Sequence, residues 1–268
     1  MKFLNYARLR WAFFLSLCLC AQLAEARVFS FKTNWVAAHL IGTGGTTTQS
    51  GEAYNGTSGS DTGFVDKVKY DFSGEFGFTF LLGEKVAMRI GVEGVQSKSI
   101  TALGNSYGSG TNYLSVVSGS TVFNPNLTFE SAFANSGTSR YFGFIGGGYA
   151  SAKVNNSYTM TAAGQTQYAS TPATFGDEWQ GTAISADAGL GAEYFIFDNV
   201  TISLVGGYRY MNFSTLTYVK AGSAFHNGTY QTVTAGENVT DTFGKAVHVD
   251  MSGYFGGMML RFFIPPLN

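Results

Sequence analysis

The stretch VKYDFSGEFGFTF, residues 68–80, alternates between two kinds of side chain along its whole length. Its even positions are mostly aromatic: Val68, Tyr70, Phe72, Gly74, Phe76, Phe78 and Phe80. Its odd positions are charged or small: Lys69, Asp71, Ser73, Glu75, Gly77 and Thr79. Because side chains of a β-strand point alternately to two faces, the run predicts a strand with one aromatic and one polar face. Strands of soluble sheets are mostly about 5–6 residues long, whereas a strand that crosses a bilayer needs about 9–11 residues. The stretch therefore predicts a transmembrane β-barrel.

The first 26 residues have the pattern of a cleaved secretory signal peptide. An apolar core at residues 11–20 is followed by the small-x-small cleavage site Ala24-Glu25-Ala26. The basic residues that precede the core are Lys2, Arg8 and Arg10. The core is too short for a membrane-spanning helix, which needs about 20 residues. Residues 1–26 are therefore predicted to be a signal peptide, and residues 27–268 to form one barrel domain.

Composition excludes several classes of function. Removal of the signal leaves 13 basic and 16 acidic residues, a net charge of −3, and no basic block, so nucleic acid is not an expected partner. Cys18 and Cys20 would leave with the signal, so we expect no disulfide, no thiol nucleophile, no zinc site and no cofactor. In a bilayer, a chain without membrane helices can satisfy its backbone only as a closed barrel. Together with the signal, this predicts a bacterial outer-membrane location.

Eight segments with a period of two can be marked in the mature chain. They are residues 34–42, 65–80, 86–97, 121–133, 140–152, 182–194, 200–213 and 245–263. The connections alternate between short ones and long ones, as in up-and-down barrels with tight periplasmic turns and long outer loops. We therefore predict an all-β fold, an eight-stranded antiparallel up-and-down transmembrane β-barrel with short periplasmic turns and four long outer loops.

The last long loop, residues 214–244, differs from the other three, which are rich in Gly, Ser, Thr and Asn. Apolar residues recur along this loop, and Asn227-Gly228 is a strong hairpin turn signal. We expect the seventh and eighth strands to continue through this loop as a protruding β-ribbon.

The parity of each predicted strand assigns charged side chains to the barrel interior. The predicted network is Glu75, Arg89, Glu93, Glu130, Asp187, Glu193, Arg209, His248 and Asp250. An eight-stranded barrel is just wide enough for side chains to fill it, and unpaired buried charges would cost several kcal/mol each. We therefore expect ion pairs that plug the lumen; the alternative is an electrostatic gate in a narrow channel that favours cations.

The C-terminal segment Gly257-Met258-Met259-Leu260-Arg261-Phe262 has the Gly-x-x-hydrophobic-x-aromatic pattern of the outer-membrane insertion signal. With the eight predicted strands, it makes the chain resemble the small eight-stranded outer-membrane barrels, the OmpA/OmpX/OmpW-like class. The resemblance implies Gly257, Leu260 and Phe262 as signal residues, and it implies the outer-membrane insertion machinery and outer-membrane lipid as partners. Members of the class have structural, adhesive or narrow-channel roles.

The last strand departs from that pattern in two ways. Residues 264–268 follow the terminal aromatic residue of the signal. Val247, Val249 and Phe255 also suggest that odd positions face outward, whereas the signal needs Leu260 and Phe262 outward. A bulge at Gly256-Gly257 would reconcile the two.

Catalysis has little support in the sequence. His248, Asp250 and Ser252 share one face of the last predicted strand, but same-face neighbours lie about 6.6–6.8 Å apart along a strand and do not by themselves form a catalytic triad. We predict that the protein is not an enzyme, with an outer-leaflet lipid-modifying activity as a minor alternative. The leading hypothesis is a structural or surface-contact, adhesin-like role, in which the outer loops bind a surface ligand.

Overall fold

The fold is a closed ring of eight antiparallel strands. The computed structural model describes residues 36–45, 54–55, 62–63, 71–97, 100–105, 112–136, 139–169, 171–197, 199–226, 229–240 and 246–264. The barrel strands are β1 (Val36–Gly45), β2 (Asp71–Leu81), β3 (Val86–Ser97), β4 (Asn112–Ser136), β5 (Ser139–Met160), β6 (Thr174–Phe197), β7 (Val200–Phe213) and β8 (Gly253–Ile264). Each strand pairs with its neighbours in the chain, and β8 pairs with β1 to close the ring. The predicted all-β, eight-stranded antiparallel up-and-down barrel is therefore confirmed, whereas the short periplasmic turns and the four long outer loops stay a prediction.

The remaining elements are short. They are the strands Tyr54–Asn55, Thr62–Gly63, Ile100–Asn105, Thr217–Tyr218, Gly222–His226, Thr229–Val233 and Val249–Asp250, and the helix α1 (Ala162–Gln167). Among the described residues, no helix has the length and apolar character needed to cross a membrane. The predicted signal peptide lies outside the described residues.

The register shows that the strands are strongly tilted. A path along paired residues that leaves β1 at Gly45 goes around the ring through β8, β7, β6, β5, β4, β3 and β2. It returns to β1 next to Val36, about ten residues lower. A closed barrel requires such a stagger, because its strands cross the barrel axis at an angle. We call the end that holds Val36 and Ile264 the lower end and the opposite end the upper end.

A belt of apolar side chains surrounds the lower part of the barrel. On β5 the outward residues from Tyr141 to Tyr149 are Tyr, Gly or Ile, and Ile145 is 65% exposed. Above Tyr149 the outward residues become polar: Ser151, Lys153, Asn155, Ser157 and Thr159. The same change occurs on β6 above Ile184, which is 75% exposed. The apolar part of β5 spans the about 9–11 residues that a bilayer requires.

Three strands are longer than predicted. The sequence predicts that β4, β5 and β6 cover residues 121–133, 140–152 and 182–194, but they continue well above the belt. Residues 112–122, 151–160 and 174–182, which we call the upper extension, are mostly polar outside and mostly apolar inside. Val116, Val154, Tyr158 and Trp179 are buried there. The prediction of loops at these positions was wrong because their outward residues are Ser, Thr, Asn and Gly, which also occur in flexible loops.

The predicted ribbon of the seventh and eighth strands is also wrong. Instead, Thr217 and Tyr218 pair with Gln180 and Trp179 of β6. The strands that pair with each other in this region are Gly222–His226 and Thr229–Val233, and the predicted Asn227-Gly228 turn lies outside the described residues. Residues 216–226, 229–240 and 246–251, which we call the upper strap, fold over the upper end of the barrel.

The expected bulge in the last strand is absent, since β8 keeps one continuous register with both β1 and β7. Odd residues of β8 face inward: Met259 and Arg261 are fully buried, and Phe255 contacts Phe144. Leu260 and Phe262 face outward, while Gly257 lies on the inner face. Val247 and Val249, predicted to face lipid, are buried in an apolar cluster beneath the upper strap. The prediction from parity was wrong for Val247 and Val249, because they belong to the upper strap and not to the membrane-spanning strand β8.

Candidate functional site in the barrel interior

The interior is layered along the barrel axis. At the lower end, Ala37, Leu81, Ala87 and Phe263 form a buried apolar cluster. Charged side chains occupy the middle of the barrel. At the upper end a larger apolar cluster unites β3–β7 with the upper strap. The candidate site is the charged layer between the two apolar clusters.

Glu130 of β4 is the centre of the lower charged group. Its carboxylate lies 3.2 Å from Nε of Arg89 and 3.5 Å from Nη2 of Arg140, and it accepts a hydrogen bond from Nη2 of Arg261. Glu130 and Arg261 are almost completely buried. One carboxylate thus faces three guanidinium groups from β3, β5 and β8, which are far apart in sequence.

Glu193 of β6 supplies the second carboxylate of this group. Arg261 donates to it at 2.8 Å and Arg140 at 3.4 Å, and the Thr201 hydroxyl donates at 2.6 Å. The guanidinium groups of Arg140 and Arg261 also lie 5.3 and 5.5 Å from the centroid of the Phe142 ring. Stacking of this kind suits the weakly hydrated guanidinium group. The result is a compact cross-barrel network that fills the lower lumen.

His39 of β1 occupies the level above this network. Its two ring nitrogens lie 3.1 Å from the Thr79 hydroxyl and 3.0 Å from the Glu75 carboxylate. The ring is 1% exposed, so both polar atoms are satisfied within the barrel. Arg89 spans the two levels, because its Nη1 lies 3.5 Å from Sδ of Met259 while its Nε faces Glu130.

Arg209 of β7 organises the upper charged group. It donates to Glu93 at 2.9 Å and forms an ion pair with Asp71 of β2. Asn124 donates to the other Glu93 oxygen at 3.0 Å and accepts from Ser185 at 2.8 Å. These contacts join β2, β3, β4, β6 and β7 at one level.

A polar cavity of about 40 Å³ lies among these groups, which is space for a few water molecules. Its charged lining residues are Glu75, Arg89, Glu93, Asp187 and Arg209. Three carboxylates and two guanidinium groups make this lining acidic. Asp187 lies in the cavity wall. It is adjacent to Gly146, where the Cβ of any other residue would overlap the Asp187 carboxylate.

The structure brings seven of the nine sequence-predicted charges into this interior. They are Glu75, Arg89, Glu93, Glu130, Asp187, Glu193 and Arg209. His248 and Asp250 lie elsewhere: they are half-buried in the upper strap, ahead of β8. Asp250 accepts a hydrogen bond from the backbone N–H of Ser252 at 2.9 Å.

Sequence reasoning missed Arg140 and Arg261, although both are central to the network. The predicted network does not include Arg140, which is the first residue of its predicted strand. Arg261 lies between the outward Leu260 and Phe262, so the insertion signal itself places it inward. Strict use of parity would have found both residues.

Two members of the triad-like set His248, Asp250 and Ser252 form hydrogen bonds with backbone groups. Ser252 is 6% exposed, and its hydroxyl accepts the backbone N–H of Met211 at 3.0 Å. Asp250 accepts a hydrogen bond from the backbone N–H of Ser252. Within the described residues, no group of three or more His, Cys, Asp or Glu is arranged to hold a metal ion.

A second polar cluster lies in the upper extension. Asp177 accepts hydrogen bonds from Asn156 at 2.8 Å and from the Tyr158 hydroxyl at 3.1 Å. Burial raises the pKa of the Asp177 carboxyl, although the hydrogen bonds oppose this shift. Burial and the nearby carboxylates of Asp177 and Glu237 also raise the pKa of Tyr218 in the upper strap. These groups lie where the strap meets β6.

No family model matches the chain, and no curated protein matches its sequence. Similar solved structures include the outer membrane protein OprG of Pseudomonas aeruginosa, with 10% identity, a TM-score of 0.43, and coverage of 88% of this chain and 98% of that chain. The outer membrane protease OmpT of Escherichia coli has 9% identity, a TM-score of 0.46, and coverage of 90% and 100%. Ail, the attachment invasion locus protein of Yersinia pestis, has 11% identity, a TM-score of 0.37, and coverage of 86% and 100%. The closed ring of eight antiparallel strands itself confirms the predicted architecture, and these low identities and TM-scores imply nothing further about this chain.

Proposed function

We propose that the protein is a bacterial outer-membrane barrel that anchors a folded contact surface outside the membrane. The observation that carries the proposal is the change on β5 at Tyr149, from an apolar to a polar outward face. Below that residue the exposed side chains suit lipid, and above it the strands continue as a sheet with its own apolar core. A barrel that only crosses a membrane does not need such an extension.

The direction of insertion follows from the predicted signal peptide and insertion signal. Both termini of the barrel are at the lower end, which corresponds to the periplasmic side in up-and-down outer-membrane barrels. The upper extension and the upper strap then face the outside. Outer-membrane lipid and the insertion machinery are the implied partners, and a surface ligand would meet the polar outer face of β4–β6.

The contact role can be tested by removing the upper extension. Ser151 pairs with Thr182, so replacement of residues 152–181 by Asn-Gly would join β5 to β6 by a two-residue turn. Heat-dependent gel mobility checks that the shortened barrel folds. Cells that express the intact protein should adhere to host-matrix or cell surfaces more than cells with the shortened barrel. Equal adhesion would reject the surface-contact role.

A second candidate is a narrow channel that prefers cations, and the acidic cavity favours it. The lower network and the apolar clusters at both ends oppose it, because buried side chains lie above and below the cavity. Single-channel recording in planar bilayers distinguishes the two. We expect no steady conductance from the folded protein, whereas reproducible steps that change with Glu75→Ala would favour the channel. That the protein is not an enzyme stays a prediction.

A further inference from the structure

One of the eight strand pairings in the ring differs from the others. Seven of them join strands that follow each other in the chain. The pairing of β8 with β1 instead joins Val36 to Ile264, the first and last described residues, and closes the ring. The entropy lost in forming a contact grows with the length of chain between its partners, so this pairing is the most costly one. We call the sheet that has every pairing except this one the open sheet.

Two arginines of the lower network can meet their carboxylates in the open sheet. Arg140 of β5 is paired directly with Glu193 of β6 and lies 3.5 Å from Glu130 of β4, so both carboxylates are on neighbouring strands. Arg89 of β3 faces Glu130 on the next strand at 3.2 Å. These ion pairs therefore do not depend on closure of the ring.

Arg261 of β8 differs, because Glu130 lies four strands away from it. Neighbouring strands are about 4.8 Å apart, so β4 and β8 would be about 19 Å apart along the open sheet, beyond the reach of an arginine side chain. In the closed ring the two strands face each other across the lumen, and Arg261 donates a hydrogen bond to Glu130. This bond therefore forms only as the ring closes.

The buried Glu130 carboxylate needs this hydrogen bond. Arg261 donates to its Oε1, whereas its Oε2 has no hydrogen-bond partner among the described residues. A buried carboxylate that lacks donors is costly, so the closed lumen is favourable only when Arg261 is in place. We propose that Arg261 is a closure latch, whose bond to Glu130 favours the closed ring over the open sheet and selects the register of β8.

The latch selects one register because Arg261 lies within the predicted insertion signal. A slip of β8 by one residue turns every side chain to the other face, which would place Arg261 in lipid and Leu260 in the lumen. A slip by two residues keeps the parity but moves the guanidinium group about 6.6–6.8 Å along the strand, away from Glu130. Of these registers, only the observed one, with Arg261 opposite His39 of β1, places a donor at Glu130.

The test measures ring closure separately from strand formation. Gly44 and Gly256 are paired across the β1–β8 seam on the outer face, where a Cβ would have no neighbour closer than 3.9 Å. The predicted mature chain has no cysteine, so Gly44→Cys with Gly256→Cys gives a disulfide that forms once β1 meets β8. The urea-unfolded chain is refolded in vesicles of dilauroyl phosphatidylcholine with a membrane-permeant oxidant. Circular dichroism follows strand formation, and the disulfide on non-reducing gels follows closure.

Arg261→Met removes the latch. Arg140→Met is the matched control, because it removes a guanidinium group from the same two carboxylates, both of which lie on strands next to β5. We expect Arg261→Met to slow disulfide formation roughly tenfold or more, as for the loss of one hydrogen bond to a charged group, and to change strand formation by less than about twofold. Arg140→Met should change the two rates by the same factor. Adding Glu130→Gln to Arg261→Met removes the carboxylate that lacks its donor and should restore most of the closure rate.

An Arg261→Met chain that forms strands and never cross-links would be the strongest form of the expected result. Equal slowing of closure relative to strand formation in Arg261→Met and Arg140→Met would overturn the latch, since the network would then only stabilise the lumen. An Arg261→Met chain that forms no strands would also overturn it, because Arg261 would then act before closure. Closure that stays slow after the addition of Glu130→Gln would show that Glu130 is not the partner on which the latch depends.

Discussion

At the scale of single residues, the chain places its strongest electrostatic interactions where water is scarce. In the lower lumen, the negative charges of Glu130 and Glu193 offset the positive charges of three arginines, Arg89, Arg140 and Arg261. Each of these groups would be costly to bury alone, so the five depend on one another. The network therefore explains both the plugged lumen and the need for inward arginines on β3, β5 and β8.

Glu130→Gln tests this dependence. The change leaves three guanidinium groups with Glu193 as the remaining carboxylate, so we expect the free energy of unfolding to fall by about 3–5 kcal/mol. Urea unfolding in lipid vesicles, followed by tryptophan fluorescence, measures it. Glu84→Gln in the exposed β2–β3 turn is the control and should change stability by about 0.5 kcal/mol or less. A loss below about 1 kcal/mol for Glu130→Gln would show that the network is not cooperative.

Asp177 predicts a pH dependence of the upper extension. Because burial raises its pKa, the folded protein holds this proton more tightly than the unfolded chain does. Stability then decreases as the pH rises from the ordinary carboxyl pKa through the raised one. Asp177→Asn removes the charge and keeps an acceptor for Asn156.

We therefore expect the Asp177→Asn variant to be more stable than the parent at neutral pH and nearly equal to it at acidic pH. Thermal unfolding in vesicles at several pH values measures the difference. Glu178→Gln is the adjacent control, since its ion pair with the 61% exposed Lys153 side chain is screened by solvent and contributes little. A variant less stable than the parent at neutral pH would show that the hydrogen bonds to the carboxylate outweigh its burial.

At the scale of elements, the sequence predicts membrane-spanning strands well. The bounds of β3 and β7 agree with the predicted segments 86–97 and 200–213. Both carry exposed apolar outward residues such as Ile90 and Leu204, which are suited to contact with lipid. The sequence does not predict the strands of the upper extension, because their outward positions, Ser157 among them, are polar residues that also occur in loops. The inward Val154 and Tyr158 fall within a predicted loop for the same reason. A period of two does not reveal which face is buried once the strand leaves the membrane.

The seam between β1 and β8 gives an element-scale prediction. A Cβ at Gly257 would overlap the carbonyl oxygen of Gly42, whereas a Cβ at Gly256 would meet nothing closer than 3.9 Å. Gly257→Ala should therefore force the two strands apart and cost about 1–3 kcal/mol.

Gly256→Ala, one residue away on the opposite face, should leave stability unchanged or slightly raised. Folding yield in vesicles and urea unfolding measure both variants. Equal stability of the two would contradict the close approach of β1 and β8 at Gly257.

At the scale of the whole molecule, the protein consists of two parts with opposite polarity. In the belt the exterior is apolar and much of the interior is charged, whereas in the upper extension the exterior is mostly polar and the interior is mostly apolar. The two patterns meet near Tyr149 on β5 without a break in the strand. This inversion is the physical reason to place a membrane boundary there, and the proposed division into an anchor and a contact surface depends on it.

The most direct test is the depth of four outward positions of β5 in a bilayer. Ile145, Tyr149, Lys153 and Ser157 are replaced one at a time by Cys in the mature chain, labelled with a polarity-sensitive fluorophore and reconstituted in vesicles. We predict that quenchers on the lipid tails act on position 145, that lipid and aqueous quenchers both act on position 149, and that aqueous iodide alone acts on positions 153 and 157. Iodide quenching at all four positions, or lipid quenching that continues to position 157, would contradict a membrane boundary at Tyr149.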